Sequence, residues 1–264
     1  MQTSLYGEVI LKSKFMKKLP ISIGILAWDS GQVLVDTLTT YYENGLFDIT
    51  DDVTILFQEV NLQDIEIAKH FGLDFIGLQK NIGIGMGLLR LAENSQNENV
   101  LLLEHDWNLI ENKEKTYQQL SEGIELLNSD YKCIRYRHRF FPGYPHFSIE
   151  RYRGKELEYF DDYYQMKYPH LLDCVHWVEN PDEKFPEFIQ KHNNFYTASS
   201  RYGNWTNNPC MYKTDFYVNI CKPFINGNHI TSEGEIAKWW ALENYKVAHG
   251  NGLFKHNDYK KYGK

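Results

Sequence analysis

The chain has 264 residues, 42% hydrophobic and 24% charged, which suits one large domain with a real core and excludes a disordered chain. Its net charge of −7 is the wrong sign for a general nucleic-acid binder, so nucleic acid is not expected as a partner. No window is long and apolar enough to span a membrane, so no integral membrane span is expected either.

An acidic protein that binds an acidic nucleotide needs local compensation, from a metal ion or from helix N-termini. The cysteines Cys133, Cys174, Cys210 and Cys221 form no C-x-x-C pair and read as small buried hydrophobes in a reducing compartment. Lys12, Lys14, Lys17 and Lys18 are not followed by a secretory leader pattern, so a soluble cytoplasmic protein is expected. On the same ground the sequon Asn204-Trp205-Thr206 reads as a chance match.

The run Ile21–Trp28 is short, apolar and β-branched, and predicts a buried strand. Val33, Leu34, Leu38 and Tyr41 follow at helical spacing, with Asp29 or Ser30 as the expected cap. Thr54–Glu59 predicts a second strand, Asp64–Phe71 a short amphipathic helix, and Asp74–Leu78 a third strand. Gly83, Gly85 and Gly87 then punctuate a turn before a helix carrying Leu88, Leu89, Leu91 and Ala92. Val100–Leu103 is the fourth and clearest strand, ending at Glu104-His105-Asp106. This alternation predicts a mostly parallel sheet with helices on both faces, whose ligands bind at the carboxyl ends of the strands.

The second half has a different texture. Cys133–Arg139 alternates as a strand, and six of the eight prolines lie between Pro142 and Pro209 among many aromatic residues. A helix is expected from about Thr231 to about Ala248. No Gly/Ser-rich linker intervenes. The expectation is therefore one domain over 1–264, with a nucleotide-binding half at about 20–139 and an acceptor-binding, catalytic half at about 140–256.

The strongest chemical signal is Glu104-His105-Asp106. Strand periodicity puts the two carboxylates on one side of the chain. Hard divalent cations in nucleotide sites take one or two carboxylates plus phosphate oxygens. The bland alternative is a strand end running into a polar turn.

In element order over most of residues 20–256, the chain resembles the GT-A glycosyltransferases, with Glu-His-Asp standing where that family has D-x-D. The resemblance implies a GT-A-like α/β fold: a Rossmann-type, mostly parallel sheet flanked by helices, with an irregular acceptor-binding second half. It implies a nucleotide-diphosphate sugar donor, a glycan or other hydroxyl acceptor, and Mn²⁺ or Mg²⁺. Donor contacts fall on Ala27, Trp28, Asp29, Glu59 and His105, and on Asn81 and Gly85 in the segment Asn81–Gly87. Metal ligands fall on Glu104, Asp106 and a C-terminal histidine, His256, with His249 as its rival. The family's acidic motif at a helix start falls on Thr231–Ile236 and puts the catalytic base at Glu233. Glu235 is the alternative catalytic residue, and it also lies three residues after Ser232, as in a capping box.

Other features stay open. Arg135, Arg137 and Arg139 share a strand face that either holds an anion or is merely solvated. His170–Trp177 has groups suited to sugar contacts but equally suited to core and rim. Arg201–Asn208 falls where related enzymes place a loop contacting donor and acceptor. The glycine spacing G-x-G-x-G is not that of a dinucleotide-binding fingerprint. Trp28-Asp29-Ser30-Gly31 lacks the basic, glycine-rich loop of a nucleotidyltransferase. Two other functions fit the same fold: a non-catalytic nucleotide-sugar or carbohydrate binder, and a nucleotide-sugar hydrolase.

Overall fold

The computed structural model describes residues 17–144, 154, 177–225 and 233–257. Four parallel strands form one flank of the sheet: β1 (Ile21–Trp28), β2 (Asp52–Gln58), β3 (Asp74–Gly77) and β4 (Asn99–Glu104), in the order β3-β2-β1-β4. Three of them, β1, β2 and β4, are apolar on both sides because both sides are covered. Ile21, Ile23, Ile25, Leu101 and Leu103 enter one core, while Leu26, Leu56, Val100 and Leu102 enter the other.

The first core is closed by α1 (Gly31–Glu43), α2 (Leu62–Phe71) and α4 (Lys113–Asn128), through Leu34, Leu38, Tyr41, Ile67, Leu120 and Ile124. The second is closed by α3 (Ile84–Glu93) and α5 (Glu233–Glu243), through Leu88, Leu89, Leu91, Ile236 and Trp240. Helices on both faces of the strands match the expectation from the sequence.

The sheet continues through mixed pairing. β9 (Cys210–Lys213) lies antiparallel between β4 and β6 (Tyr131–Arg137). β10 (Lys246–His256) runs parallel to β6 and antiparallel to β8 (Phe195–Ser199), and β7 (Gln190–His192) closes the edge. The short β5 (Trp107–Leu109) pairs with the far end of β10.

Four local expectations need correction. The helix expected to reach Ala248 ends at Glu243, because Val247–His249 is drawn between β6 and β8 as strand. Asn244, at φ 56°, makes the break. Gly85 and Gly87 are not turn residues but lie buried inside α3, where a Cβ on Gly87 would meet Leu26 Cδ1 at 2.5 Å. Gly87 lets α3 approach β1 closely. Ser30 occupies the N-cap of α1 but makes no side-chain capping bond, and Asp29 does not cap either. The three arginines do not form a solvated face: Arg135, Arg137 and Arg139 are 3%, 7% and 8% exposed.

Cys133 and Cys210 are free and buried, and Cys174 lies outside the described residues. Asn204 is buried and accepts a hydrogen bond from Arg135 Nη2 at 3.0 Å, which is no environment for a glycan. Among the described residues no helix is long and apolar enough to cross a membrane.

Gly123 on α4 faces β6 and β9 so closely that a Cβ would collide with Tyr136 Oη and come within 2.9 Å of Met211 Cε. Gly123→Ala should therefore destabilise the protein by about 1–3 kcal/mol in urea unfolding, despite alanine's better helix propensity. A neutral or stabilising result would contradict this close helix–sheet contact.

Candidate functional site

The site is built where β1, β2 and β4 end. At the first two of these ends the backbone is held in the left-handed region, at φ 42° for Asp29 and 54° for Glu59. Neither is glycine, and such conformations persist only where the surroundings over-determine them, often at ligand sites. Trp28 Nε1 donates to Glu59 Oε2 at 2.7 Å, joining adjacent strand ends. Trp28 is 49% exposed, so an indole face stands open beside a carboxylate. Ala27, by contrast, has its side chain fully inside the core.

The neighbouring loop is fixed by amides. Gln58 is buried and its Oε1 accepts from Ile82 N at 2.7 Å. Asn81 Oδ1 accepts from Gly83 N at 2.7 Å, shaping the turn into α3. Gly85 lies in the first turn of that helix, so its backbone is what it can offer a ligand.

The carboxylate pair at the end of β4 has a more elaborate setting. His105 N donates to Leu26 O at 2.9 Å, which extends the β1–β4 ladder past Glu104. The chain then turns into β5, which α1 grips through polar side chains. Tyr41 Oη donates to Trp107 O at 2.6 Å, and Thr40 Oγ1 accepts from Leu109 N at 3.0 Å. Burial, and then the charge of Asp106, push the Tyr41 phenol up, so it stays a neutral donor.

β5 in turn pairs with β10 in the register His256↔Trp107, Lys255↔Asn108 and Phe254↔Leu109. Asn257 N donates to Asp106 O at 2.6 Å. This ladder brings His256 to Asp106, with Nε2 3.2 Å from Oδ2. Burial alone would raise the Asp106 carboxyl, but the His256 hydrogen bond and the charges of His256 and His105 outweigh it and hold the carboxyl below its ordinary value. Asp106 Oδ1 is buried and has no hydrogen-bond partner among the described residues, and the same is true of His256 Nδ1.

A buried carboxylate oxygen without a partner is costly unless something else satisfies it. A hard carboxylate oxygen suits Mn²⁺ or Mg²⁺. Among the described residues no group of three or more His, Cys, Asp or Glu side chains is gathered for a metal. The structure thus joins Asp106 to His256, with Glu104 at the last position of β4. The rival His249 is buried, with Nε2 2.8 Å from Arg137 O.

Glu233 is the first residue of α5, and its Oε1 accepts from Thr206 Oγ1 at 3.1 Å and Asn207 N at 2.8 Å. It therefore anchors the segment that contains Trp205, which stacks on Tyr212. Nothing in the sequence pattern marked Thr206 and Asn207 as its partners. Ser232 lies outside the described residues, as does the Glu235 side chain, and with them the expected capping box. Of His170–Trp177, only Trp177 is described.

The arginine face is spent on shaping the turn and loops after β6. Arg137 Nε donates to Pro142 O at 2.9 Å and Nη2 to Gly143 O at 3.2 Å, with its guanidinium 5.1 Å from the Trp107 ring. Arg139 Nη2 donates to Val178 O at 2.7 Å, and its guanidinium lies 4.3 Å from the Tyr196 ring. His138 Nδ1 accepts from Phe140 N at 3.2 Å and Phe141 N at 3.0 Å, while Nε2 faces Glu111 Oε1 at 3.2 Å. Burial lowers the His138 pKa against the pull of Glu111, which favours the neutral ring that accepts those two bonds. His256 N donates to Pro142 O at 3.2 Å, and Gly143 bridges to His256.

Gly143 sits at φ 72°, and a Cβ there would overlap the His256 backbone. Gly143→Ala should cost about 2 kcal/mol or more in urea unfolding, from strain and displaced backbone together. An unchanged unfolding midpoint would contradict the seating of this turn on His256.

No protein-family model matches this chain, and no curated protein matches it in sequence. Solved structures do match in fold. One is the mannosyltransferase PcManGT from Pyrobaculum calidifontis in complex with GDP-Man and Mn²⁺, at TM-score 0.54 and 9% identity, covering 93% of this chain and 59% of that one. Another is S. aureus TarS 1-349, at TM-score 0.54 and 13% identity, covering 90% of this chain and 60% of that one. A third is GalNAc-T7 with UDP, GalNAc and Mn²⁺, at TM-score 0.57 and 10% identity, covering 89% and 42%. The chain thus spans about three-fifths or less of the length of these structures. With helices on both faces of a mostly parallel sheet, and these neighbours across nearly its whole length, the chain has the GT-A glycosyltransferase fold.

Proposed function

We propose that this protein transfers a sugar from a nucleotide-diphosphate sugar to an acceptor hydroxyl, with Mn²⁺ or Mg²⁺ as cofactor. The observation that carries the reading is the Asp106–His256 pair, with a buried, unpartnered carboxylate oxygen at the carboxyl edge of a GT-A sheet. Support comes from fold neighbours solved with GDP-Man and Mn²⁺, or with UDP, GalNAc and Mn²⁺.

Two protein ligands are enough for an ion that completes its shell from phosphate oxygens and water. Asp106 and His256 would hold it directly, with Glu104 reaching it through a water. When bound, the ion neutralises charge that builds on the departing diphosphate. Trp28 and Glu59 receive the base or ribose, beside Ala27 and Asp29 at the end of β1. Asn81, the Gly85 backbone at the start of α3, and His105 orient the phosphates and sugar.

Glu233 removes the proton from the acceptor hydroxyl as that oxygen attacks the anomeric carbon, which inverts its configuration. Its Oε1 is held by Thr206 and Asn207, and Oε2 has no partner among the described residues. Fixing one oxygen orients the other for proton transfer. Glu235, two residues further along α5, is the alternative base.

Two variants test these assignments. Asp106→Ala should abolish the Mn²⁺-dependent rise in melting temperature given by UDP or GDP, since ligand binding stabilises by mass action. Its fold should survive, because the β5–β10 ladder is backbone. An undiminished shift would remove the metal assignment. Glu233→Gln keeps the acceptor oxygen that Thr206 and Asn207 use. It should leave the nucleotide-induced shift intact and slow metal-dependent donor turnover by about 10²-fold or more. Turnover at the wild-type rate would place the base elsewhere.

A further inference from the structure

The turn that seats on His256 displays apolar rings that the transfer chemistry does not use. Phe140, Phe141 and Tyr144 are 67%, 63% and 41% exposed, within five consecutive residues. Their backbone is nonetheless tightly held. His138 takes the amides of Phe140 and Phe141, Arg137 takes the carbonyls of Pro142 and Gly143, and Pro142 O also accepts from His256 N. The inner side of the Phe141 ring leans on His138, with centroids 5.2 Å apart and planes at 36°. A turn this constrained does not expose two phenylalanines for want of a way to fold. Large exposed rings on a rigid support beside a reactive centre are a ligand surface.

We propose that Phe140 and Phe141 are the stacking platform for the acceptor, and that the acceptor is a neutral carbohydrate whose pyranose ring lies on them. This rests on the glycosyltransferase reading above and adds the chemical class of the acceptor. The platform is joined to the Asp106–His256 pair through His256 itself, by one backbone bond and one bridge. A ring stacked there is held next to the centre where the diphosphate departs. The apolar face of a pyranose, with its C–H groups, complements the negative face of an aromatic ring.

Charge argues for a neutral sugar over a lipid surface. The turn His138–Tyr144 contains no lysine, and its one arginine, Arg139, is buried on Val178 O and Tyr196. Glu111 and Asp106 lie against His138 and His256. An anionic membrane would need several cations at the rim, where the nearby Lys115 is already paired with Glu111 at 2.9 Å, and an anionic acceptor would meet the Asp106 carboxylate.

The test uses the full chain as wild type, as Phe140→Ala/Phe141→Ala and as Phe140→Tyr/Phe141→Tyr. Each is applied, with UDP or GDP and Mn²⁺, to an array of neutral and acidic oligosaccharides and to phosphatidylcholine/phosphatidylserine vesicles. Wild type should bind neutral glycans, the double alanine variant should bind them about tenfold or more weakly, and the double tyrosine variant should retain binding. The alanine variant's nucleotide-induced thermal shift should persist, which separates a lost platform from a lost fold. Equal glycan binding by wild type and the alanine variant overturns the proposal. So does wild-type binding to no neutral glycan, or vesicle binding that the alanine change abolishes. If wild type shows no nucleotide-induced shift yet binds glycans through these rings, the transferase reading fails while the sugar platform stands.

Discussion

The antiparallel pairing of β5 with the end of β10 is the constraint on which the rest of the site depends. Three residue pairs, Trp107 with His256, Asn108 with Lys255 and Leu109 with Phe254, tie the turn after β4 to β10. Each side of this small ladder has its own support. On one side α1 reaches β5 through Tyr41 and Thr40. On the other, Gln119 exchanges two hydrogen bonds with the backbone of Gly252, where β10 departs from regular pairing. Backbone hydrogen bonds between buried strands fix register more firmly than a surface ion pair can. The Asp106–His256 contact is therefore a consequence of register and does not have to hold the strands together.

That arrangement explains why the site tolerates unsatisfied chemistry. A carboxylate oxygen buried without a partner, two non-glycine residues in left-handed conformations at adjacent strand ends, and exposed rings on the next turn are each unfavourable alone. Two large cores on opposite faces of the sheet supply the stability that such features draw on. Arg137 at the end of β6 and Arg139 just beyond it belong to this support: their guanidinium groups order carbonyls of the loops around the centre, and Arg137 packs against Trp107 beside it.

Much of the first half was legible in the sequence, because buried parallel strands are written as short continuous apolar runs. Ile21–Trp28 and Val100–Leu103 fall within strands the structure contains. The helix after the second strand was visible too, its start fixed by the reciprocal Asn61–Asp64 cap. Gly87 misled, since close approach of α3 to Leu26 demands the same residue as a turn does. Lys246–His249 misled because nothing local separates a helix's last turn from a strand between two partners; the partners, β6 and β8, are distant in sequence. In the site, Glu59 and Trp28 followed from the strand-end rule. Asp106 and His256 lie far apart in the chain, and only family resemblance suggested pairing them. The Phe140–Tyr144 turn gave no signal, because exposure of an aromatic residue is a property of the fold and not of its neighbours in sequence.

The central claim is that Asp106 and His256 together hold a divalent cation that bridges to a nucleotide diphosphate. Anomalous diffraction from crystals of the protein grown with Mn²⁺ and UDP or GDP tests it most directly. The account predicts a manganese peak in bonding contact with Asp106 and His256, with diphosphate oxygens on its open side and the base near Trp28 and Glu59. A nucleotide bound elsewhere, or a manganese peak away from both residues, would contradict it.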